Sequence, residues 1–297
     1  MTILLCGIQR FRIFIKMIEE RFSFKNQYND EIKGNVLYVE GVKNLPLVII
    51  LHGFKGWKDW GFIPYLSKSL AQSNSIVIRF DFSLNGMIEG SDLVAYPGKF
   101  AANTVSREVS DLIDVFSKFK DGTLVEGKSF EDIWNGKVFL VGHSLGGAIS
   151  ILASEVIKPD GLVLLASISR FARYTERQKE QWRKEGSLRF TNNRTGQELS
   201  INLSYLEDIE KNDYNEKLMS DLKSINKPVL ILHGREDITV PVSEAKELAE
   251  AMKHNIGLRF KIIERTGHTF GAEHPFAKTN QALEELIIET KQFIGLQ

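Results

Sequence analysis

Cysteine is almost absent from this chain of 297 residues: the single one, Cys6, precludes an internal disulfide and any Cys/His metal cluster, and it fits a reducing, cytoplasmic setting. An excess of either charge is missing as well. Lys+Arg and Asp+Glu both number 38, so no global field draws in nucleic acid or an anionic membrane surface. No run of about 18 apolar residues occurs, so no transmembrane segment is expected. Internal repeats and low-complexity tracts are lacking too. What the chain does have is 43% hydrophobic and 10% aromatic residues, enough for a substantial core. Its length suits one large α/β domain, or one domain carrying an insertion, better than two equal domains.

Residues 1–16 are apolar and basic, with Arg10, Arg12 and Lys16 unmatched by acids. Their charge follows the apolar stretch instead of preceding it, which argues against a signal peptide. A surface-lying amphipathic helix and a loosely attached extension ahead of Met17 both remain open. From there the pattern reads as an antiparallel pair, 21–25 and 35–40, and then a buried strand, 45–51, ending in His52-Gly53-Phe54-Lys55-Gly56. A helix over 62–72, a strand over 75–80 ending at Asp81, a loop over 83–103 and a helix over 105–119 follow. The aliphatic run Val138-Phe139-Leu140-Val141 leads into Gly142-His143-Ser144-Leu145-Gly146, and a helical stretch, 148–156, leads out of it. The next buried strand is predicted over 162–166.

Composition changes near Ile168. Residues 168–222 read as an inserted cap made of a helix over 170–185 and a hairpin carrying Leu188, Phe190, Leu199, Ile201 and Leu203. Eight basic residues face three acids between Arg170 and Arg194, and two basic face seven acids from Thr195 to Leu222. The two halves either attract each other or recognise a charged substrate. The core pattern, 17–167, resumes over 223–297: a strand at 229–232, a helix at 243–252, a strand at 258–263 and a last helix at 279–294.

The chemistry gathers at strand ends. Gly-x-Ser-x-Gly between a strand and a helix is the pattern of a nucleophile elbow, in which the small flanking residues let strand and helix close and the serine stands above the sheet edge. A glycine-rich turn whose serine merely caps the helix is the plainer alternative. A serine hydroxyl needs a base, and the base needs an acid to orient it. Asp237 follows one buried strand and His268 the next, so both stand at the same sheet edge as Ser144. Glu236 and His274 are the rival acid and base. His52, His143, His233 and His254 are read as structural or badly placed, and Asp81 as a loop brace. The backbone N–H groups of Phe54 and Leu145 are candidates to hold an oxyanion. Phe54, Trp57, Trp60 and Phe270 are candidate substrate-binding residues, or else packing residues.

With HGFKG, GHSLGG, HGREDITVP and GHTF in hand, the chain resembles the α/β-hydrolase superfamily, in particular the branch holding cinnamoyl and feruloyl esterases and dienelactone-hydrolase-like or serine-aminopeptidase-like proteins. The resemblance implies a mostly parallel eight-stranded sheet flanked by helices, with a small cap inserted after strand 6. It also implies Ser144, Asp237 and His268 as a catalytic triad and the Phe54 and Leu145 amides as an oxyanion hole. The expected activity is cofactor-free and metal-free cleavage of a small-molecule carboxylic ester through an acyl-enzyme. A peptidase or an acyltransferase of the same fold is the alternative, and the chain is expected to act as a monomer or homodimer.

Overall fold

The aliphatic runs stand at the centre of a sheet. The computed structural model describes residues 16–296, beginning with β1 (Met17–Lys25), β2 (Glu31–Val39) and β3 (Leu45–Leu51). Then come α1 (Ile63–Gln72), β4 (Ile76–Asp81), α2 (Pro97–Ala101), α3 (Val105–Lys120), β5 (Trp134–His143), α4 (Leu145–Ile157) and β6 (Gly161–Leu165). Between that strand and β9 (Val229–Gly234) the chain leaves the sheet and builds α5 (Glu176–Glu185), the antiparallel hairpin β7 (Ser187–Asn192) and β8 (Gln197–Asn202), α6 (Leu203–Lys211) and α7 (Tyr214–Ser224). It returns for β9, α8 (Val242–Ala251), β10 (Leu258–Ile263) and α9 (Gln281–Ile294). The expectations placed on residues 1–15 lie outside the described residues.

The strand order is β1-β2-β4-β3-β5-β6-β9-β10. Only β2 runs against its neighbours, so the sheet is the mostly parallel, eight-stranded one expected. Helices cover both faces, which is why its central strands read as unbroken aliphatic runs and not as alternation. Along β3, Leu47, Ile49 and Leu51 join the core shared with α3 and α4, while Val48 and Ile50 join the core shared with α1 and α9. All five are buried.

Local chemistry explains where elements depart from the pattern. The helix expected over 170–185 begins only at Glu176, because Thr175 caps it with Gln178 in a reciprocal capping box. Ahead of it, the Phe171 and Ala172 N–H groups donate to the Asn215 side-chain oxygen at 2.8 and 3.1 Å, which holds the chain out of helix. Leu203, expected in the hairpin, opens α6 instead. The helices α6 and α7 are additions to the expected helix and hairpin; each buries a short apolar stripe, Tyr205, Leu206 and Ile209 or Tyr214, Leu218 and Leu222. The loop expected over 83–103 contains α2, which Pro97 starts.

Candidate active site

Ser144 sits at the junction of β5 and α4 with φ 56° and ψ −118°, a conformation L-residues rarely hold. Its neighbours explain how it is held. A Cβ on Gly142 would stand 2.3 Å from the Gly146 carbonyl oxygen, and one on Gly146 would stand 2.6 Å from that of His52. Strand, turn and helix therefore touch backbone to backbone, and the serine is forced up towards the sheet edge. The plainer capping alternative does not hold, since the Ser144 side chain makes no cap hydrogen bond to α4.

Asp237 follows β9 and is buried, whereas its neighbour Glu236 is exposed. One Asp237 oxygen accepts from the Thr239 and Val240 amides at 2.9 and 2.8 Å, and the other accepts from His268 Nδ1 at 2.8 Å. Burial alone would push this carboxyl up. Hydrogen bonds from His233 and His268 outweigh that and hold it well below the usual carboxylate range, so it is an anion at neutral pH. With Nδ1 donating to Asp237, His268 Nε2 is left as an acceptor. His274, the rival base, accepts from the Gly61 N–H through Nδ1 and meets Asp92 through Nε2, and thus braces two loops.

Two histidines set aside on sequence position support this pair. His233, fully buried, donates through Nε2 to the Val240 carbonyl at 2.8 Å and lies 3.3 Å from Asp237 Oδ2. His143 donates through Nε2 to the His268 carbonyl at 2.9 Å, with its ring centroid 4.8 Å from that of His268. Burial, reinforced by the nearby His268, lowers its pKa to about 3, so it stays a neutral donor. His52 is structural as expected: Nδ1 donates to the Gly53 carbonyl, Nε2 accepts from the Phe82 amide, and burial lowers its pKa to about 4. Asp81 braces the loop after β3, accepting from the Lys58 amide at 2.7 Å.

Ser144, Leu145, Phe54 and His268 all line one cavity of about 470 Å³. Gly53 comes so close to the serine that a Cβ there would stand 2.9 Å from Ser144 Cβ, and this approach carries Phe54 to the cavity wall. Leu145 is the first residue of α4, so its N–H has no partner within the helix, and neither it nor the Phe54 N–H donates to another group among the described residues. Of the four aromatic candidates, Phe54 and Trp60 line this cavity, and Trp57 and Phe270 do not. Phe270 is fully buried against Phe62, and Trp57 is buried beside His274; both are packing residues.

Residues 48–282 match the profile of the alpha/beta hydrolase family. The chain belongs to that family. Among solved structures, this alpha/beta hydrolase is similar to Est1E from Butyrivibrio proteoclasticus with ferulic acid bound, at a TM-score of 0.65 and 19% identity over 92% of this chain and 97% of that one. It is also similar to DcsB in complex with a substrate analogue, at a TM-score of 0.70 and 16% identity over 94% and 99% of the two chains. These likenesses are of fold. A Mycoplasma pneumoniae protein carrying an esterase/lipase designation is 28% identical over 157 residues, 45% of this chain and 57% of that protein. A Mycoplasma genitalium protein with the same designation is 25% identical, again over 57% of its length. The hydrolase thus spans little more than half the length of the curated relatives it matches. Among its described residues no helix is long and apolar enough to cross a membrane.

The segment between β6 and β9 roofs the cavity with Phe171, Tyr174, Asn193, Arg194 and Tyr205. None of these positions was singled out in the sequence as cavity-lining. Only the excess of basic residues over 170–194 hinted at them. Only part of that charge is spent inside the segment: Arg183 meets Glu210 at 2.6 Å and Lys179 meets Glu176 at 2.8 Å, but Arg170 and Arg173 reach out to Glu247 and Glu244 of α8.

Proposed function

We propose that this alpha/beta hydrolase cleaves carboxylic esters through an acyl-enzyme, with Ser144 as nucleophile, His268 as general base and acid, and Asp237 as the group that orients His268. The carrying observation is the bond from His268 Nδ1 to a buried, ionised Asp237 in a histidine that shares its cavity with a serine in strained conformation. Ser144 Oγ attacks the ester carbonyl while His268 Nε2 takes its proton, and the resulting oxyanion is met by the Phe54 and Leu145 N–H groups. Collapse expels the alcohol, which leaves with the proton from His268. Water then attacks the acyl-serine by the same route and releases the acid.

The aromatic side chains that line the cavity, Phe54, Trp60, Phe171, Tyr174 and Tyr205, suit an aryl or other apolar acyl group, and the Phe54 ring is backed by Phe100 and Phe190 at centroid distances of 5.4 and 5.9 Å. An aminopeptidase-like reading would need acids to hold a substrate ammonium. The acids nearest to hand in the roofing segment, Glu207, Asp208 and Glu210, do not line the cavity, and Asp208 is engaged by Ser106 and Glu210 by Arg183. Turnover of p-nitrophenyl butyrate by the parent and by Ser144→Ala is the test. A loss on the order of a millionfold in kcat is expected. A loss below about a hundredfold removes Ser144 from the mechanism.

A further inference from the structure

The cavity at Ser144 is lined by three cationic side chains, Lys55, Arg173 and Arg194, and by no aspartate or glutamate. Arg173 is already matched, since it meets Glu244 at 2.5 Å and the Thr239 carbonyl at 3.2 Å. The other two are not. Neither Lys55 nor Arg194 forms an ion pair among the described residues; the Lys55 ammonium stands 5.8 and 5.7 Å from the ring centroids of Phe54 and Phe190, and the Arg194 guanidinium lies 4.7 Å over Trp57. Asp92, whose charge reaches Arg194, is already bound at 2.8 Å by His274.

The two cations are also held near each other. Arg194 donates to the Lys55 backbone carbonyl at 3.4 Å, which ties the turn after β7 to the loop after β3. Burial lowers the Lys55 pKa, and the neighbouring Arg194 charge lowers it further. Two like charges against aromatic rings at the wall of a cavity repel each other, and an anion set between them relieves both. Phe54 joins the two ends of the cavity: its backbone N–H faces the expected oxyanion, and its ring carries the Lys55 ammonium.

We propose that Lys55 and Arg194 form an anion subsite, and that the preferred ester carries a carboxylate or phosphate on the part of the molecule remote from the scissile bond. This rests on the ester-hydrolase reading and narrows it. The apolar walls take the connecting carbons, and the two cations take the anion. Arg supplies a planar fork for it and Lys a point charge.

The test compares kcat/KM for mono-p-nitrophenyl adipate with that for p-nitrophenyl hexanoate, and for 4-acetoxybenzoate with that for 4-methylphenyl acetate. The first pair places a carboxylate on the acyl side and the second on the alcohol side. At low salt, one pair is expected to favour the anionic member by about tenfold, and raising the salt should shrink that ratio. The ratio should collapse in Lys55→Met/Arg194→Leu and survive in Lys55→Arg. Neutral esters turned over with no anionic preference in either pair, or a preference unmoved by the double substitution, would overturn the subsite and leave the esterase reading standing. Calorimetric binding of mono-p-nitrophenyl adipate and of 4-acetoxybenzoate to Ser144→Ala reads the subsite without turnover, the tighter-binding of the two being the one that counts. Binding about tenfold weaker when Lys55→Met and Arg194→Leu are added supports the subsite, and equal binding overturns it, whatever the fate of the esterase reading.

Discussion

At the scale of single residues, the ionisable groups buried around the site differ in what pH does to them. His52 and His143 are buried and neutral, with pKa values lowered by burial to about 4 and about 3. Between those values and the ordinary 6.5, the unfolded chain binds protons that the folded chain does not, so their contribution makes stability rise with pH. Glu108, on α3, has the opposite sense: burial and the nearby Asp111 push it up to about 8, against the ordinary 4.5, and a hydrogen bond from Asn103 only partly offsets this. Across that interval the folded chain keeps a proton that the unfolded chain has released, so stability falls as pH rises. Above pH 6.5 these two histidines no longer oppose it. Glu108→Gln, which keeps an acceptor for Asn103, should therefore be more stable than the parent at pH 8, with an advantage that grows by up to about 1.4 kcal/mol per pH unit from about pH 4.5. Urea midpoints at pH 5, 6.5 and 8 measure this, and a pH-independent difference would count against a protonated Glu108.

At the scale of elements, close backbone approach makes the elbow, and close approach can be broken with one methyl group. On Gly146 that methyl would meet the His52 and Leu51 carbonyl oxygens at 2.6 and 2.7 Å, so α4 could not close onto the end of β3. Gly146→Ala should cost about 1 to 3 kcal/mol of stability and displace the loop that carries the Phe54 amide, lowering kcat more than the stability loss explains. A urea titration paired with ester kinetics checks both. The elbow was legible because two glycines, a strand and a helix leave little else for the pattern to mean. The strands β3, β6 and β9 were legible because burial on both faces leaves no polar residue to interrupt them. The helices α6 and α7 were not, since each shows three buried residues among acids and polar side chains, and only contact with α3 and α4 reveals that stripe as a core face. For the same reason His233 was set aside: its ring acts by turning back across the loop to Asp237, a direction that position in the chain does not disclose. Lys55 and Arg194 share a cavity wall only after folding, so their pairing is invisible in sequence.

At the scale of the whole molecule, the segment between β6 and β9 is anchored as part of the body and not hung on it as a lid. Trp182, Leu199, Ile201, Leu206, Ile209 and Leu218 are buried in the same hydrophobic cluster as the α3 and α4 residues Leu112, Val115, Ile149 and Leu152. Polar ties add direction: Asp208 accepts from the Ser106 amide at 2.8 Å, and Ser106 Oγ lies 2.8 Å from the Tyr214 hydroxyl. The surface pair Arg170–Glu247 adds at most about 1 kcal/mol, so the apolar contact is the stronger bond between segment and sheet. A roof held in this way does not swing clear of Ser144 without exposing core. The thermal consequence is one cooperative transition, with the roof melting together with the sheet. Scanning calorimetry should give a single endotherm whose van't Hoff and calorimetric enthalpies agree. A separate low-temperature endotherm, removed by deleting part of the hairpin β7–β8 while p-nitrophenyl butyrate turnover persists, would show the roof to be an independent unit that can open over Ser144.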